Sequence, residues 1–222
     1  MKYVMGLDIG YSNIKAVFGE KAGVNGRSRT EWLRPAGCAP VRYASQSLGG
    51  QARSDQIVVN VRGKEFVAGE SQGRLDLERT LDENYPFTDG YEGLMKAALD
   101  ASGQKVVDTL VTGLPVHQYL DESYRRRLSS RLQGVHEIRK KQTVRVDEVK
   151  ILPQPAGGFF DLCQGDLADQ LDELRVLIID PGFFSVDWIL MDCFELRPKG
   201  CGSSHEASSV VLEEVDEMIK KD

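Results

Sequence analysis

The sequence predicts an α/β protein in two domains, and three observations carry that expectation. Strand-like and helix-like segments alternate along the chain, the pattern of a sheet covered by helices. Two stretches share one plan, "YVMGLDIGYSNIKAVFG" at the start and "RVLIIDPGFFSVDWILMD" about 170 residues later. Each runs through four or five apolar residues, Asp, any residue, Gly, a short turn and a second apolar strand. The chain has 222 residues, 41% of them hydrophobic, enough to bury a full core in one or two domains.

Each element has its own justification. Residues 3–9 read as a strand, and "NIKAVFGE" (13–20) as its hairpin partner across the turn "GYSN". Residues 21–52 are rich in Gly, Arg, Ser and Pro with little periodicity, which predicts loops or ragged strands. "QIVVNVRGKEFVAGE" reads as a β-hairpin turning at Arg62-Gly63. "DGYEGLMKAALDASG" has helical spacing and ends at Gly103, a left-handed cap. "VVDTLVTGLPV" is a buried strand entering a Gly-Leu-Pro turn, and "LDESYRRRLSSRLQG" an amphipathic helix. "TVRVDEVKILPQPAGGFFDL" predicts one or two strands, a Pro/Gly-rich bend and a helix start. "LRVLIIDPGFFSVDWILMD" is strand, turn, strand, and the tail from Ser203 to Asp222 opens on serines and closes on lysines, as a helix does.

Composition narrows the function classes. A net charge of −6 does not suit a protein built to coat nucleic acid, and Arg125, Arg126, Arg127 and Arg131 fall on a helical pattern as a solvated face. Cys38, Cys163, Cys193 and Cys201 are widely spaced, with no CxxC pair, as free thiols in a reducing compartment are. The start "MKYVMGLDIG" has too short an apolar run for a signal peptide, and no segment approaches 18 apolar residues. A cytoplasmic protein, without a membrane or direct nucleic-acid partner, is expected.

The paired hairpins suit a nucleoside triphosphate. Its phosphates need backbone N–H groups from a tight turn, a lysine and a divalent cation. Aspartate at a strand end can hold Mg²⁺ through water, because that ion keeps much of its hydration shell. Asp8, Gly10, Ser12, Asn13 and Lys15 fit these roles in the first hairpin. In the second, Asp180, Gly182 and Ser185 do, with Asp187 a further carboxylate. A lone Asp-x-Gly is common turn chemistry; the pairing is what points to a clamp. Between the hairpins, Gln154 ends a strand before Pro-Ala-Gly-Gly. A neutral amide there can orient a water toward a γ-phosphate without bringing repulsive charge, or can be a surface glutamine in a turn.

In their order, these stretches resemble the phosphate-1, connect-1 and phosphate-2 motifs of the actin, DnaK-type chaperone and sugar-kinase superfamily. "GLDIGYSNIK", "LVTGLPVHQY", "ILPQPAGGFFD" and "IIDPGFFSVDWILMD" look most like ParM/StbA-type actin-like ATPases of plasmid segregation, and within them the PRTRC-system subgroup. The resemblance implies an actin-like ATPase (ribonuclease H-like) fold. It implies a first domain over 1–170 with an inserted small subdomain at about 33–92, and the N-terminal part of a second over 171–222. Asp8 and Asp180 would face a hydrated Mg²⁺, and Gly10, Tyr11, Ser12 and Asn13 would offer contacts to the phosphates of ATP or GTP. Lys15 would neutralise the β- and γ-phosphates, Gln154 would position the attacking water, and Gly182, Phe183, Phe184 and Ser185 would line the terminal phosphates. Phe183 and Phe184 stand where many members carry glycines.

The resemblance further implies self-association into filaments and a plasmid-bound adaptor protein as partner. The family continues for about a hundred residues more, including the turn that holds adenine and ribose. The second domain is therefore expected to be incomplete, the sequence truncated at its C-terminal end, and turnover by these residues alone weak. Two other readings stay open: a phosphotransferase of the same superfamily, which would need a base that the "ILPQPAGG" turn lacks, and a non-catalytic scaffold.

Overall fold

A computed structural model describes residues 2–20, 29–44, 56–75, 82–165, 170–171, 173–183, 185–208, 210–211 and 220. It divides into two compact units, Met1–Thr112 with Arg127–Lys150, and Gly113–Arg126 with Ile151–Asp222.

The first unit is built on a six-stranded mixed sheet. β1 (Tyr3–Ile9) pairs antiparallel with β2 (Asn13–Glu20), which pairs in turn with β3 (Arg29–Pro35). On its other side β1 takes β7 (Val106–Leu114) in parallel, followed by β9 (Gln142–Pro153) and β8 (Gly134–Arg139), giving the order β3-β2-β1-β7-β9-β8. Alternation explains β2, whose residues Ile14, Ala16 and Phe18 are buried while Asn13, Lys15 and Val17 face solvent. β3 is an edge strand exposed on most of its length, so it carries no alternation, and the sequence leaves it between loop and ragged strand. β8 escapes sequence reading for a similar reason, being six residues long and half charged or polar.

A separate three-stranded sheet, β4-β6-β5, is formed by β4 (Gly37–Pro40), β5 (Ile57–Val61) and β6 (Lys64–Glu70). Its β5–β6 hairpin turns at the expected place, with Arg62 at φ 50° and Gly63 at φ 80°, the two positive values that match the strands' right-handed twist. α1 (Asp89–Ala101) packs against β1, β4, β5, β6 and β8 and buries Leu94, Met95 and Leu99. The Thr88 hydroxyl caps it by accepting from the Tyr91 amide at 3.2 Å, and Asp89 and Glu92 sit in its first turn. Lys96, nearly buried on this helix, is satisfied by Glu92 at 2.8 Å and the Asn60 carbonyl at 2.7 Å.

The second unit carries a sheet in the order β10-β11-β12, from β10 (Arg175–Pro181), β11 (Val186–Asp192) and β12 (Glu195–Leu196), with β13 (Gly202–Ser204) also on β11. Its core gathers Val116, Ala156, Phe159, Ile189 and Met191, with Val176 and Ile178 of β10 packed against them. α2 (Val116–Leu120) lies on β11 and β13, and α4 (Ala156–Leu162) on β10. The single helix expected over 120–134 is interrupted at its start: α2 ends before Asp121 and α3 (Glu122–Leu132) begins after it. The Asp121 carboxylate accepts from the Ser123 and Tyr124 amides and so caps a new helix. The helix expected over the last twenty residues lies largely outside the described residues, and its first residues, Ser203 and Ser204, belong to β13.

The two hairpins share one register. Every Cα partner pair of β1–β2 recurs in β10–β11 at a constant spacing of 172 residues, from Tyr3↔Glu20 with Arg175↔Asp192 to Asp8↔Lys15 with Asp180↔Asp187. Their surroundings differ. β1 has β7 on its far side and α1 above it, and Met5 and Leu7 are 0% and 3% exposed. Among the described residues β10 pairs with β11 alone, and the corresponding Leu177 and Ile179 are 55% and 60% exposed.

Candidate functional site

In the first unit, the candidate groups sit at the mouth of the β1–β2 hairpin. Asp8 is the penultimate residue of β1 and lies directly across from Lys15, with Lys15 Nζ 3.5 Å from Asp8 Oδ2. Side chains directly opposite on adjacent strands share a face, so strand pairing alone places acid and amine together. Both are about half exposed, and a pair of this kind contributes roughly 0.2–1 kcal/mol, so either group is easily drawn to another partner. The turn closes through a Gly10 N–H donating to the Asn13 carbonyl at 3.0 Å, with Ser12 and Asn13 exposed at its tip. The Ser12 carbonyl in turn accepts from the Ala36 amide at 3.0 Å.

Tyr11 supplies the anchor of this turn. Its ring stacks on Tyr85 at 4.7 Å between centroids, and its hydroxyl donates to the Asp82 carbonyl at 2.8 Å. Tyr85 meets Tyr91 edge-on at 5.5 Å. Burial pushes the Tyr91 phenol up to about 12; the neighbouring Thr112 hydroxyl offsets this in part and the Asp8 charge adds to it. An aromatic ladder thus ties the turn to the segment that starts α1. The sequence assigns Tyr11 to phosphate contact; its side chain is directed to Asp82 and Tyr85, and its backbone stays with the turn.

In the second unit the hairpin mouth repeats the same closure, a Gly182 N–H donating to the Ser185 carbonyl at 2.9 Å. Here glycine is required by space: a Cβ at Gly182 would lie 2.7 Å from the Ser185 carbonyl oxygen, against 3.4 Å for Gly10 and Asn13. Asp180 is exposed at the end of β10, Phe183 is half-buried, and Phe184 lies outside the described residues. Ser185 is buried, and its hydroxyl donates to Asp187 Oδ2 at 2.5 Å. Asp187 corrects a sequence expectation. It is not a spare carboxylate facing a ligand but 2% exposed, and its Oδ1 accepts from the Val116 amide at 2.6 Å and from the Ser203 hydroxyl.

Gln154 stands where β9 gives way to α4. Its amide N–H donates to the Leu114 carbonyl at 2.8 Å, and its carbonyl accepts from Gly157 at 3.2 Å. Its side chain lies over Gly113, where a Cβ would come within 2.8 Å of Gln154 Cγ. The side-chain amide has no hydrogen-bond partner among the described residues. Gly113 is the residue that sequence reasoning missed, and its signal was the glycine inside "LVTGLPV", since glycine within a strand often marks a close approach.

Asp8 and Asp180 are each a solvent-facing carboxylate near a strand end, the kind of group that can hold Mg²⁺ through water. Among the described residues no three His, Cys, Asp or Glu side chains cluster as a metal cage, while each hairpin offers one solvent-facing carboxylate at a strand end. Oxygen ligands in small number, with the remaining positions left to water and phosphate, are what Mg²⁺ takes.

Residues 6–157 match the family described as actin-like proteins, N-terminal domain. The chain belongs to this actin-like family. No curated protein sequence matches it. Among solved structures, this actin-like chain is similar to apo pSK41 ParM, with a TM-score of 0.65 and 16% identity over 99% of this chain and 73% of that one. It is also similar to Ta0583, an archaeal actin homolog in complex with ADP, with a TM-score of 0.62 and 20% identity over 100% and 66%. The AlfA filament from a B. subtilis plasmid, pLS32, gives a TM-score of 0.61 and 11% identity over 93% and 73%. At such identities the likeness establishes the α/β actin-like fold. The actin-like chain spans 73% of the ParM chain, 66% of the Ta0583 chain in that complex and 62% of an Alp12 filament subunit. No helix among its described residues is long and apolar enough to cross a membrane.

Proposed function

We propose that this chain is a nucleotide-binding protein of the plasmid-segregation branch of the actin-like family, of the PRTRC-system-like subgroup. In this reading it binds ATP (or GTP) with Mg²⁺, hydrolyses it, and assembles with copies of itself into filaments that engage a plasmid-bound adaptor in the cytoplasm. The observation that carries the reading is the matched pair of hairpins, each with an aspartate, a glycine and the same closing bond at the same register positions. A duplicated phosphate-binding turn is what a triphosphate clamp needs, and both hairpins place Asp two residues before the Gly of a four-residue turn closed by the same bond. The similar structures support it: an archaeal actin homolog in complex with ADP, an AlfA filament bound to AMPPNP, and an Alp12 filament.

The proposed roles follow from the local chemistry. Amides of the 10–13 and 182–185 turns donate to phosphate oxygens. Lys15, weakly held by Asp8, exchanges that partner for the more highly charged phosphates. Asp8 and Asp180 would hold a hydrated Mg²⁺, which would neutralise charge on the phosphates. The Gln154 amide orients the attacking water. The proposed folding domains are 1–170, with an inserted small subdomain at about 33–92, and the N-terminal part of a second domain over 171–222.

The test measures ATP affinity, single-turnover phosphate release and pelleting for the wild type, Gln154→Ala and Lys15→Ala. Gln154→Ala should slow hydrolysis by about 10–100-fold with affinity nearly unchanged, because a water-orienting bond acts in the transition state. Lys15→Ala should weaken binding itself. Long-lived polymer is expected from the first and little polymer from the second. Equal, small effects of Gln154→Ala on affinity and hydrolysis would reject the water-positioning role and favour a scaffold.

A further inference from the structure

We infer that Asp187 is a positioning residue, holding the 182–185 turn and the 113–117 segment in one frame. The inference rests on the reading of that turn as phosphate-facing and of Gln154 as water-orienting. Register places Asp187 where the first hairpin has Lys15, yet the two side chains do opposite things. Lys15 is solvent-facing with one weak partner, whereas Asp187 is buried with three donors on its two oxygens.

Those donors come from three separate stretches. Ser185 closes the second turn, so its hydroxyl bond to Oδ2 fixes the residue whose carbonyl accepts from Gly182. The Val116 amide, bonded to Oδ1, lies two residues beyond Leu114, whose carbonyl accepts from the Gln154 amide. Ser203 on β13 donates to Oδ1 and accepts from the His117 amide at 3.0 Å, so a second amide of the same segment is tied to the carboxylate through one hydroxyl. A buried carboxylate that lost these donors would be costly, and donors that lost the carboxylate would be left unpaired, so the three stretches move together or not at all. The network joins the turn to the support of Gln154 without passing through either side chain.

The test compares amide hydrogen exchange in the nucleotide-free wild type, Asp187→Ala and Asp187→Asn. In Asp187→Ala, residues 116–117 and 182–185 should exchange at least tenfold faster together. In Asp187→Asn the amide oxygen keeps the Val116 and Ser203 bonds, and the Ser185 hydroxyl turns to accept from the new NH₂. Exchange should return to within about twofold of wild type. Should Asp187→Ala fail to fold, Ser203→Ala replaces it, with joint loosening of about threefold expected, since only the hydroxyl link is lost. Loosening at 116–117 with the 182–185 turn unchanged, or no loosening, overturns the inference. In the same samples, bound ATP should protect both segments in the wild type and neither in Asp187→Ala, and kcat should fall and KM rise for Asp187→Ala, with both recovering for Asp187→Asn. A wild type that binds no ATP while the two segments still loosen together rejects the nucleotide reading and leaves the positioning role standing.

Discussion

Replacing Gly113 by alanine tests the support of Gln154 without touching a polar group. The added methyl would lie 2.8 Å from Gln154 Cγ, 3.3 Å from its Cα and 3.6 Å from its Cβ, where ordinary contacts run from 3.4 to 4 Å. Cγ can swing aside, but only by turning the side chain away from its present direction. The Cα cannot swing, because the Gln154 N–H is pinned to the Leu114 carbonyl at 2.8 Å, one residue from the substitution. The strain is of the overpacking kind, about 1–3 kcal/mol, and the flexible share of it places the cost near ~1.5 kcal/mol. Chemical denaturation of Gly113→Ala against wild type reads that loss directly. On the proposed function, a catalytic amide displaced by about 1 Å should also slow phosphate release by up to ~10²-fold while ATP affinity changes little. Unchanged stability together with unchanged phosphate release would refute the reasoning, for it would mean that Gln154 does not depend on the bare backbone beneath it.

Gly182→Ala should destabilise the chain by about 2 kcal/mol in urea titration, and Gly10→Ala by well under 1, since the new Cβ meets a carbonyl oxygen at 2.7 Å in one case and at 3.4 Å in the other. His136, whose Nε2 lies 2.8 Å from the Leu132 carbonyl, has its pKa held below the ordinary 6.5, chiefly by burial and with Lys96 and Arg131 adding to it against the Leu132 carbonyl and Glu92. The folded-state value is depressed, so its contribution is full above pH 6.5 and is lost as pH falls through the folded pKa; urea midpoints should drop toward pH 5 in wild type and less in His136→Gln. Burial pushes the Cys38 thiol up to about 12, so a thiol reagent at pH 7.5 should modify exposed Cys193 in the native protein and reach Cys38 only on unfolding, which mass spectrometry of the labelled peptides would show.

The sequence by itself determined the strands with a buried and an open face, the helix α1 with the left-handed Gly103 that closes it (φ 66°), and the repeated hairpin plan, because alternation, cap chemistry and turn glycines are local properties. It reached Asp8, Gly10, Lys15, Gln154, Asp180 and Gly182 as candidates for the same reason: each sits at a strand end beside a turn, where residue type and spacing alone carry meaning. It left β3 between loop and ragged strand and did not reach β8, β12 or β13; all four are short or exposed at sheet margins and take their form from a neighbour's free hydrogen-bonding edge. Nor could it tell that Lys15 and Asp187 hold the same position in two copies of one hairpin and serve opposite ends. That difference was decided by tertiary structure. Val116 and Ser203 are 71 and 16 residues away from Asp187 in sequence, and only folding brings their donors to it. The same holds for Met5 and Leu177, equal in pattern and register: one is sealed by α1 and flanked by β7, and the other stays exposed. Local pattern states what a strand can bury, and the elements that come to lie against it decide whether it does.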